Sequence, residues 1–334
     1  MARIAIDLHG GDFGPSVTLP SSLQFFRQHP QHYGVLVGRA ELCRVSVEQL
    51  PPNTEWVEAD PLGDQSHKPS RLLRHAGNSS IEVAFRMLED QVVDALVSAE
   101  HTGVLLALVT KHGTLHSLLT RPVLASWLPT KAKPTVMLDL GASFSATSDQ
   151  LLAYAAIGSG LFRTESSLPT LALLNVGTEY FKGPPELRNA NQLLSEWPSI
   201  RYQGFIEASQ VFEGKLDVIV CDGFTGNSVI KASEGALDLT LGSLQSVFNR
   251  GLLLRLLGLA LKRPIQQALS PLDPHKANGA LIAGSNLMAV KSHGNAGQVA
   301  FKAAIERSAD LVNRQVIPAV WRELNRLIDD DVLD

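Results

Sequence analysis

A chain of 334 residues has room for one large α/β domain or two ordinary ones, and either way buries a substantial apolar core. With 45% hydrophobic and 19% charged residues it is not a disordered or low-complexity chain, and a net charge of −4 gives no basic face for nucleic acid. The two cysteines, Cys43 and Cys221, stand far apart and in no C-x-x-C pair, which argues against a disulfide framework and a zinc cluster.

The first apolar run, Arg3 to Asp7, predicts a strand, and the polar Gly10-Gly11-Asp12 turn follows it too early to leave the apolar stretch of a signal peptide. A cytoplasmic protein is expected. No segment approaches a span of about twenty apolar residues, so any membrane contact is expected to be peripheral, at the inner face. Further strands are predicted at Gly34 to Val37, Ala95 to Ser98, Val136 to Asp139, Leu171 to Asn175, Val218 to Cys221 and Met288 to Lys291. They alternate with amphipathic stretches of helical length, the pattern of βαβ units on a mostly parallel sheet. Asp60 to Gly77, rich in Pro and polar residues, reads as a long functional loop, since strands of the same type resume after it. A helix begins at Ser79-Ser80-Ile81-Glu82, where Ser79 and Glu82 have capping-box spacing. Another follows Asn227, and a final one runs from Gln298 to Asn313 with Val299, Ala303, Ala304 and Ala309 on its buried side.

Six predicted strands run into small Gly-containing polar turns: His9 to Asp12, Ser98 to Gly103, Gly141 to Ser143, Asn175 to Thr178, Asp222 to Asn227 and Ser292 to Asn295. In a parallel sheet such turns gather at the carboxyl edge, where backbone N–H groups and helix N-termini face a ligand. Any one of them is explained by the ordinary need to end a strand. Six together point to an enzyme that binds an anion.

No P-loop, H-E-x-x-H or G-x-S-x-G string is present, and Gly158-Ser159-Gly160 lacks the third glycine of a dinucleotide fingerprint. Cys221 ends an apolar strand beside Asp222, whose charge discourages thiolate formation, so it reads as a buried structural cysteine rather than a nucleophile. Lys182 is a compact cation for phosphate or an ordinary solvated lysine, and His293 a ligand contact or a turn histidine. Local sequence does not separate these.

Taken in order, several strings resemble the phosphate acyltransferase family of bacterial phospholipid synthesis. They are Asp7-Leu8-His9-Gly10-Gly11-Asp12-Phe13-Gly14-Pro15, Val97-Ser98-Ala99 with Thr102-Gly103, Leu138 to Ala142, Leu173 to Gly177, Lys182-Gly183, Val220 to Asn227 and Lys291-Ser292-His293-Gly294. The most specific is Cys221-Asp222-Gly223-Phe224-Thr225-Gly226-Asn227.

The resemblance implies a single domain over residues 1–334, a three-layer α/β/α fold similar to isocitrate and isopropylmalate dehydrogenases, and a homodimer without metal or cofactor. It implies transfer of a fatty acyl group from an acyl carrier protein thioester to inorganic phosphate, with the acyl phosphate passed to a glycerol-3-phosphate acyltransferase. Lys182 and Asn227 match the catalytic pair. Asp12, Ser98, His101, Thr102, Gly103, Asp139, Ser143, Thr225, Gly226, His293 and Gly294 are the candidate phosphate and thioester contacts. This chain departs from the family at His9 (usually Met), Glu100 (Gly), His101 (Asn) and Ser143 (Asn). A carboxylate at Glu100 opposes phosphate binding unless it faces solvent or pairs with a cation. An imidazolium at His101 would attract phosphate.

From Arg250 to Arg263 a leucine-rich stretch carries Arg250, Arg255, Lys262 and Arg263 and is closed by Pro264. It suits an anionic lipid interface and a dimer mate equally. Two other functions stay open: a phosphotransacetylase-like or decarboxylating-dehydrogenase-like enzyme of the same fold, and a non-catalytic paralogue that binds acyl carrier protein or lipid.

Overall fold

The computed structural model describes residues 1–46, 50–63, 72, 77–162, 167–251, 254–255, 257–258, 261, 264, 278–330 and 332. Most of the loop expected at Asp60 to Gly77 lies outside the described residues, as do Lys262 and Arg263.

Eleven strands form one sheet: β1 (Arg3–Asp7), β2 (Tyr33–Val37), β3 (Thr54–Val57), β4 (Ala95–Ser98), β5 (Val123–Leu128), β6 (Thr135–Leu138), β7 (Thr170–Leu174), β8 (Arg201–Ile206), β9 (Val218–Val220), β10 (Ala280–Ala283) and β11 (Ala289–Lys291). Their order is β3-β2-β1-β4-β11-β10-β5-β6-β9-β7-β8. All seven predicted strands are present with their ends shifted by a single residue at most. The four missed ones carry weak patterns. β3 is partly exposed along its length, and β8 is polar at its start and interrupted by Gly204 at φ 80°.

β1 to β4 and β11 run parallel, and so do β6 to β9, but β10 and β5 stand between the two groups. The pairs β11/β10, β10/β5 and β5/β6 are all antiparallel. Three reversals invert direction, so the two parallel groups point opposite ways. The six Gly turns therefore do not share one carboxyl edge: those after β1, β4 and β11 form one set, and those after β6, β7 and β9 lie at the opposite edge.

Helices cover both faces, giving the expected three layers. Side-chain alternation decides which face each strand residue serves. Ile4 and Ile6 join a core with Phe25, Phe26, Phe301 and Ile305, whereas Ala5 joins Val35, Phe85, Leu105 and Leu108 on the other side. These side chains come from α1 (Pro15–Gln28) and α8 (Gln298–Asn313), and from α3 (Ser80–Glu89) and α4 (Thr102–His112), respectively. The remaining helices are α2 (Ala40–Cys43), α5 (Ser148–Phe162), α6 (Pro185–Glu196), α7 (Gly223–Phe248) and α9 (Val316–Asp329). The last of these corrects the expectation that the chain ends on the Gln298–Asn313 helix. In α8 itself Ala304 and Ala309 are buried as expected, but Val299, in the first turn, is 66% exposed.

α5 is buried continuously from Leu151 to Leu161 because it sits between the sheet and α9. A Cβ on Gly158 would come within 2.3 Å of Val218, and one on Gly160 within 2.6 Å of the Val320 backbone. The Gly158-Ser159-Gly160 string thus serves close packing on two sides of one helix. α3 starts as predicted, with the Ser79 hydroxyl accepting from the Glu82 N–H, but the Glu82 carboxylate reaches Lys111 and His112 on α4.

Candidate active site

At the first edge the turns after β1, β4 and β11 are stitched together by their own polar groups. Asp7, fully buried, accepts from the Ser80 hydroxyl at 2.6 Å and the Ser98 hydroxyl at 2.7 Å, and burial pushes its carboxyl up from the usual range. The Ser98 oxygen also accepts from the Glu100 N–H at 2.9 Å. The Asp12 N–H donates to the Gly294 carbonyl at 2.8 Å, and the Ser292 N–H to the Ser98 carbonyl at 2.8 Å. His101 caps α4, its Nδ1 accepting from the Gly103 N–H at 3.2 Å. His9 accepts from the Arg39 N–H through Nε2 at 2.9 Å, and burial holds its imidazole towards the neutral form this bond requires.

At the opposite edge Asp139 organises the turns after β6 and β9. One carboxylate oxygen accepts from the N–H groups of Leu124, Gly141 and Ala142 at 3.0–3.2 Å; the other accepts from the Ser143 N–H at 2.7 Å and the Ser143 hydroxyl at 2.8 Å. The Ser143 oxygen in turn accepts from the Gly223 N–H, at the first position of α7. Asp222 caps the helix, accepting from the Thr225 N–H and from its hydroxyl. α7 therefore begins four residues earlier than expected, and Asn227 stands at the start of its second turn rather than before it. Gly141, at φ 124°, lies against the Asn227 side chain, where an added Cβ would sit 3.6 Å from the asparagine Cβ.

Cys221 is buried between these turns with its Sγ 3.4 Å from the Asp139 carbonyl, and desolvation, with Asp222 and Asp139 adding to it, pushes the thiol far up. Cys43 is buried as well and pushed to about 11. Both thiols should resist iodoacetamide in the folded chain at neutral pH and react fully in denaturant. A cysteine found labelled rapidly in native protein by mass spectrometry would contradict this.

Lys182 lies in the loop after β7. Asn175, nearly buried, donates from its side-chain amide to the Lys182 carbonyl at 3.0 Å, and Gly183 turns at φ 87° where a Cβ would strike that amide. The ammonium rests on Glu179 at 2.8 Å and holds that carboxyl below its usual range. Because β7 and β9 are parallel neighbours, the loops carrying Lys182 and Asn227 leave the sheet side by side.

A groove of about 780 Å³ joins the two edges. Its floor is β5, from Leu124 to Leu128, with Ala280; one wall is α7, from Asn227 to Leu237; the turn residues Asp12, Thr102, His293 and Gly294 close it. Of the expected contacts, these four and Asn227 line the groove. Ser98, Asp139 and Ser143 are buried, and their oxygens are engaged in holding the turns. His101, Gly103, Thr225, Gly226 and Lys182 are not among the lining residues. Three lining lysines were missed from sequence, Lys131, Lys231 and Lys291. Lys231 was findable, being one helical turn after Asn227 on the same face of α7. Among the described residues no group of three or more His, Cys, Asp or Glu is placed to hold a metal ion.

Comparison with known proteins places these features in a family. A family model described as "Fatty acid synthesis protein" matches residues 2–319. A phosphate acyltransferase from Moritella marina is 38% identical over 333 residues, covering 96% of this chain and 98% of its own. One from Shewanella amazonensis is 37% identical over 340 residues, covering 98% of each. Among solved structures, a phosphotransacetylase from Streptococcus pyogenes superposes with a TM-score of 0.58 at 13% identity, covering 93% of this chain and 94% of that one, a likeness of fold alone. Near-complete coverage at this identity, together with the ordered motifs at the two edges of the sheet, shows that the chain belongs to the phosphate acyltransferase family of enzymes.

Proposed function

We propose that this chain transfers a fatty acyl group from an acyl carrier protein thioester to inorganic phosphate, releasing carrier thiol and acyl phosphate. The observation that carries the reading is the groove, which joins a largely apolar floor of Leu124, Trp127, Leu128 and Leu140 to polar groups that include Asn227 and three lysines. Its volume falls within the roughly 300–1,000 Å³ typical of sites that enclose a small molecule. An acyl chain needs the first part and an anionic nucleophile the second.

A phosphate oxygen adds to the thioester carbonyl, the new C–O bond pushing the π pair onto oxygen to give a tetrahedral oxyanion. Its collapse re-forms the carbonyl, breaks the C–S bond and expels the thiolate, which takes up a proton. Such a reaction needs no nucleophile from the protein. It needs two reactants held in line and donors aimed at the tetrahedral oxyanion. Asn227 offers an amide N–H for that oxyanion, and Lys182 a positive charge. The N–H groups of Gly223 and Thr225 serve Ser143 and Asp222, so these two are not donors for the reaction.

The acyl phosphate would be consumed by an acyltransferase acting on glycerol 3-phosphate at the membrane. Leu239, Leu244 and Val247 are exposed along α7, and Arg250 and Arg255 follow. This arm is proposed to bind a second copy of the chain or an anionic bilayer surface. None of the described helices is long and apolar enough to cross a membrane.

The test is release of free thiol from palmitoyl carrier protein in the presence of phosphate, with acyl coenzyme A run in parallel. Phosphate-dependent release from the carrier protein is expected. Release only from coenzyme A would make the chain a phosphotransacylase of the other kind, and no release from either donor would favour the non-catalytic reading.

A further inference from the structure

We propose that Lys231 and Lys291, two of the three lysines that line the groove, form the seat of inorganic phosphate. Both line the cavity that Asn227 lines. Lys231 follows Asn227 by four residues on α7, so the amide and the ammonium project from the same face of the helix. Lys291 ends β11, paired with Ser98 of β4 and Ala280 of β10, and its ammonium donates to the Ser292 carbonyl at 2.9 Å.

Several donors of the Gly turns, which sequence suggests as the anion cradle, are committed within the turns. The Gly223 N–H goes to Ser143, the Thr225 N–H to Asp222, the Gly103 N–H to His101 and the Asp12 N–H to the Gly294 carbonyl. The Ser98 and Ser143 hydroxyls donate to Asp7 and Asp139. An anion in a groove with an apolar floor needs counter-charge, and the lysines supply it.

Lys291 also feels Lys231 as a like charge. Burial and then the nearby Lys231 hold Lys291 down to about 8, while Glu100 acts in the opposite direction. Like charges converging in a partly closed space carry a cost that a dianion between them removes. Lys231 is joined to Glu234, which also lines the groove, at 2.7 Å, so a bound anion has to share Lys231 with that carboxylate or displace it. Glu100 is buried to 2% exposure and its carboxylate favours the charged form of Lys291. Its Oε1 accepts from the His101 N–H at 2.8 Å, so the carboxylate is engaged within its own turn.

This inference rests on the reading that phosphate is the acyl acceptor. It is tested by calorimetric titration of the full chain with inorganic phosphate alone, and by the KM values for phosphate and for acyl carrier protein. Lys231→Met and Lys291→Met should each weaken phosphate binding by about tenfold or more, the loss of a charge-assisted contact, with the carrier-protein KM nearly unchanged. Lys291→Arg should restore part of the affinity. A Lys291→Met, Glu100→Gln double variant removes the charge without stranding a buried carboxylate, and should match the single variant in phosphate affinity. Parent that binds no phosphate, methionine variants that bind it as the parent does, or a rise confined to the carrier-protein KM would overturn the proposal. If the variants keep phosphate affinity while the parent releases carrier thiol, the seat is wrong and the transfer reading stands. If binding depends on the lysines and no thiol is released, the seat stands and the transfer reading fails.

Discussion

Replacing Lys182 or Asn227 by alanine should lower turnover by on the order of a hundredfold, the usual loss when one oxyanion donor or charge partner is removed. Neither change should unfold the protein. The Lys182 side chain is 39% exposed, and its loop is held by the Asn175 side-chain amide donating to the Lys182 main-chain carbonyl, which the substitution leaves in place. Asn227 is exposed in the groove wall, on a helix whose cap is made by Asp222. The loss should therefore fall on kcat with the melting temperature nearly unchanged. Lys182→Arg should recover part of the rate, because it keeps the charge while changing its shape. Glu179→Gln offers an internal check: freeing the Lys182 ammonium from its carboxylate partner should alter the rate without touching the apolar groove. Turnover near the parental value in both alanine variants would remove Lys182 and Asn227 from the chemistry.

Much of this architecture was legible before any coordinates. The strands with dense apolar runs, such as Arg3–Asp7 and Ala95–Ser98, fall where their pattern puts them, because a strand buried on both faces has little choice of residue. β5, broken by Ser126, and β10, a run of only four residues, give periodicity little to read. Missing them mattered. Those two strands supply the reversals that send the turns to opposite edges, and they lie under the groove that joins the edges again.

The site was legible in part for a similar reason. Motif strings name residues that are close in sequence to a turn, and they caught Asp12, Thr102, Asn227, His293 and Gly294 in the groove lining. The same strings drew in Ser98, Asp139 and Ser143, which are confined to the same turns but have their oxygens turned to backbone donors. Sequence alone does not distinguish a polar residue that meets a ligand from one that builds the loop, since both want short side chains beside glycine. Lys231 and Lys291 were passed over for the opposite reason: one sits inside a helix and one at a strand end, and only the packing of α7 against the sheet brings them together.

Asp139 is the residue on which the second edge depends, and Asp139→Ala should cost on the order of 4 kcal/mol of stability. The carboxylate accepts from four backbone N–H groups and one hydroxyl in a place sealed from water. A buried donor left without its acceptor costs about 1–3 kcal/mol, and the sum is tempered because the turn relaxes and water enters the space left by the side chain. Against a total of about 5–15 kcal/mol for a typical folded domain, such a loss brings the protein towards the edge of folding at growth temperature. Activity should fall further than stability alone requires, because the Ser143 hydroxyl that holds the Gly223 N–H and the Gly141 backbone beside Asn227 both hang from this carboxylate. Asp139→Asn keeps one acceptor oxygen and places an NH2 group against donors, so it should lie between parent and alanine in denaturant midpoint. Urea titration of the three proteins reads the order directly. A shift below about 1 kcal/mol for the alanine variant would mean that the turns after β6 and β9 are held by their own backbone and helix cap, with the carboxylate only filling the space between them.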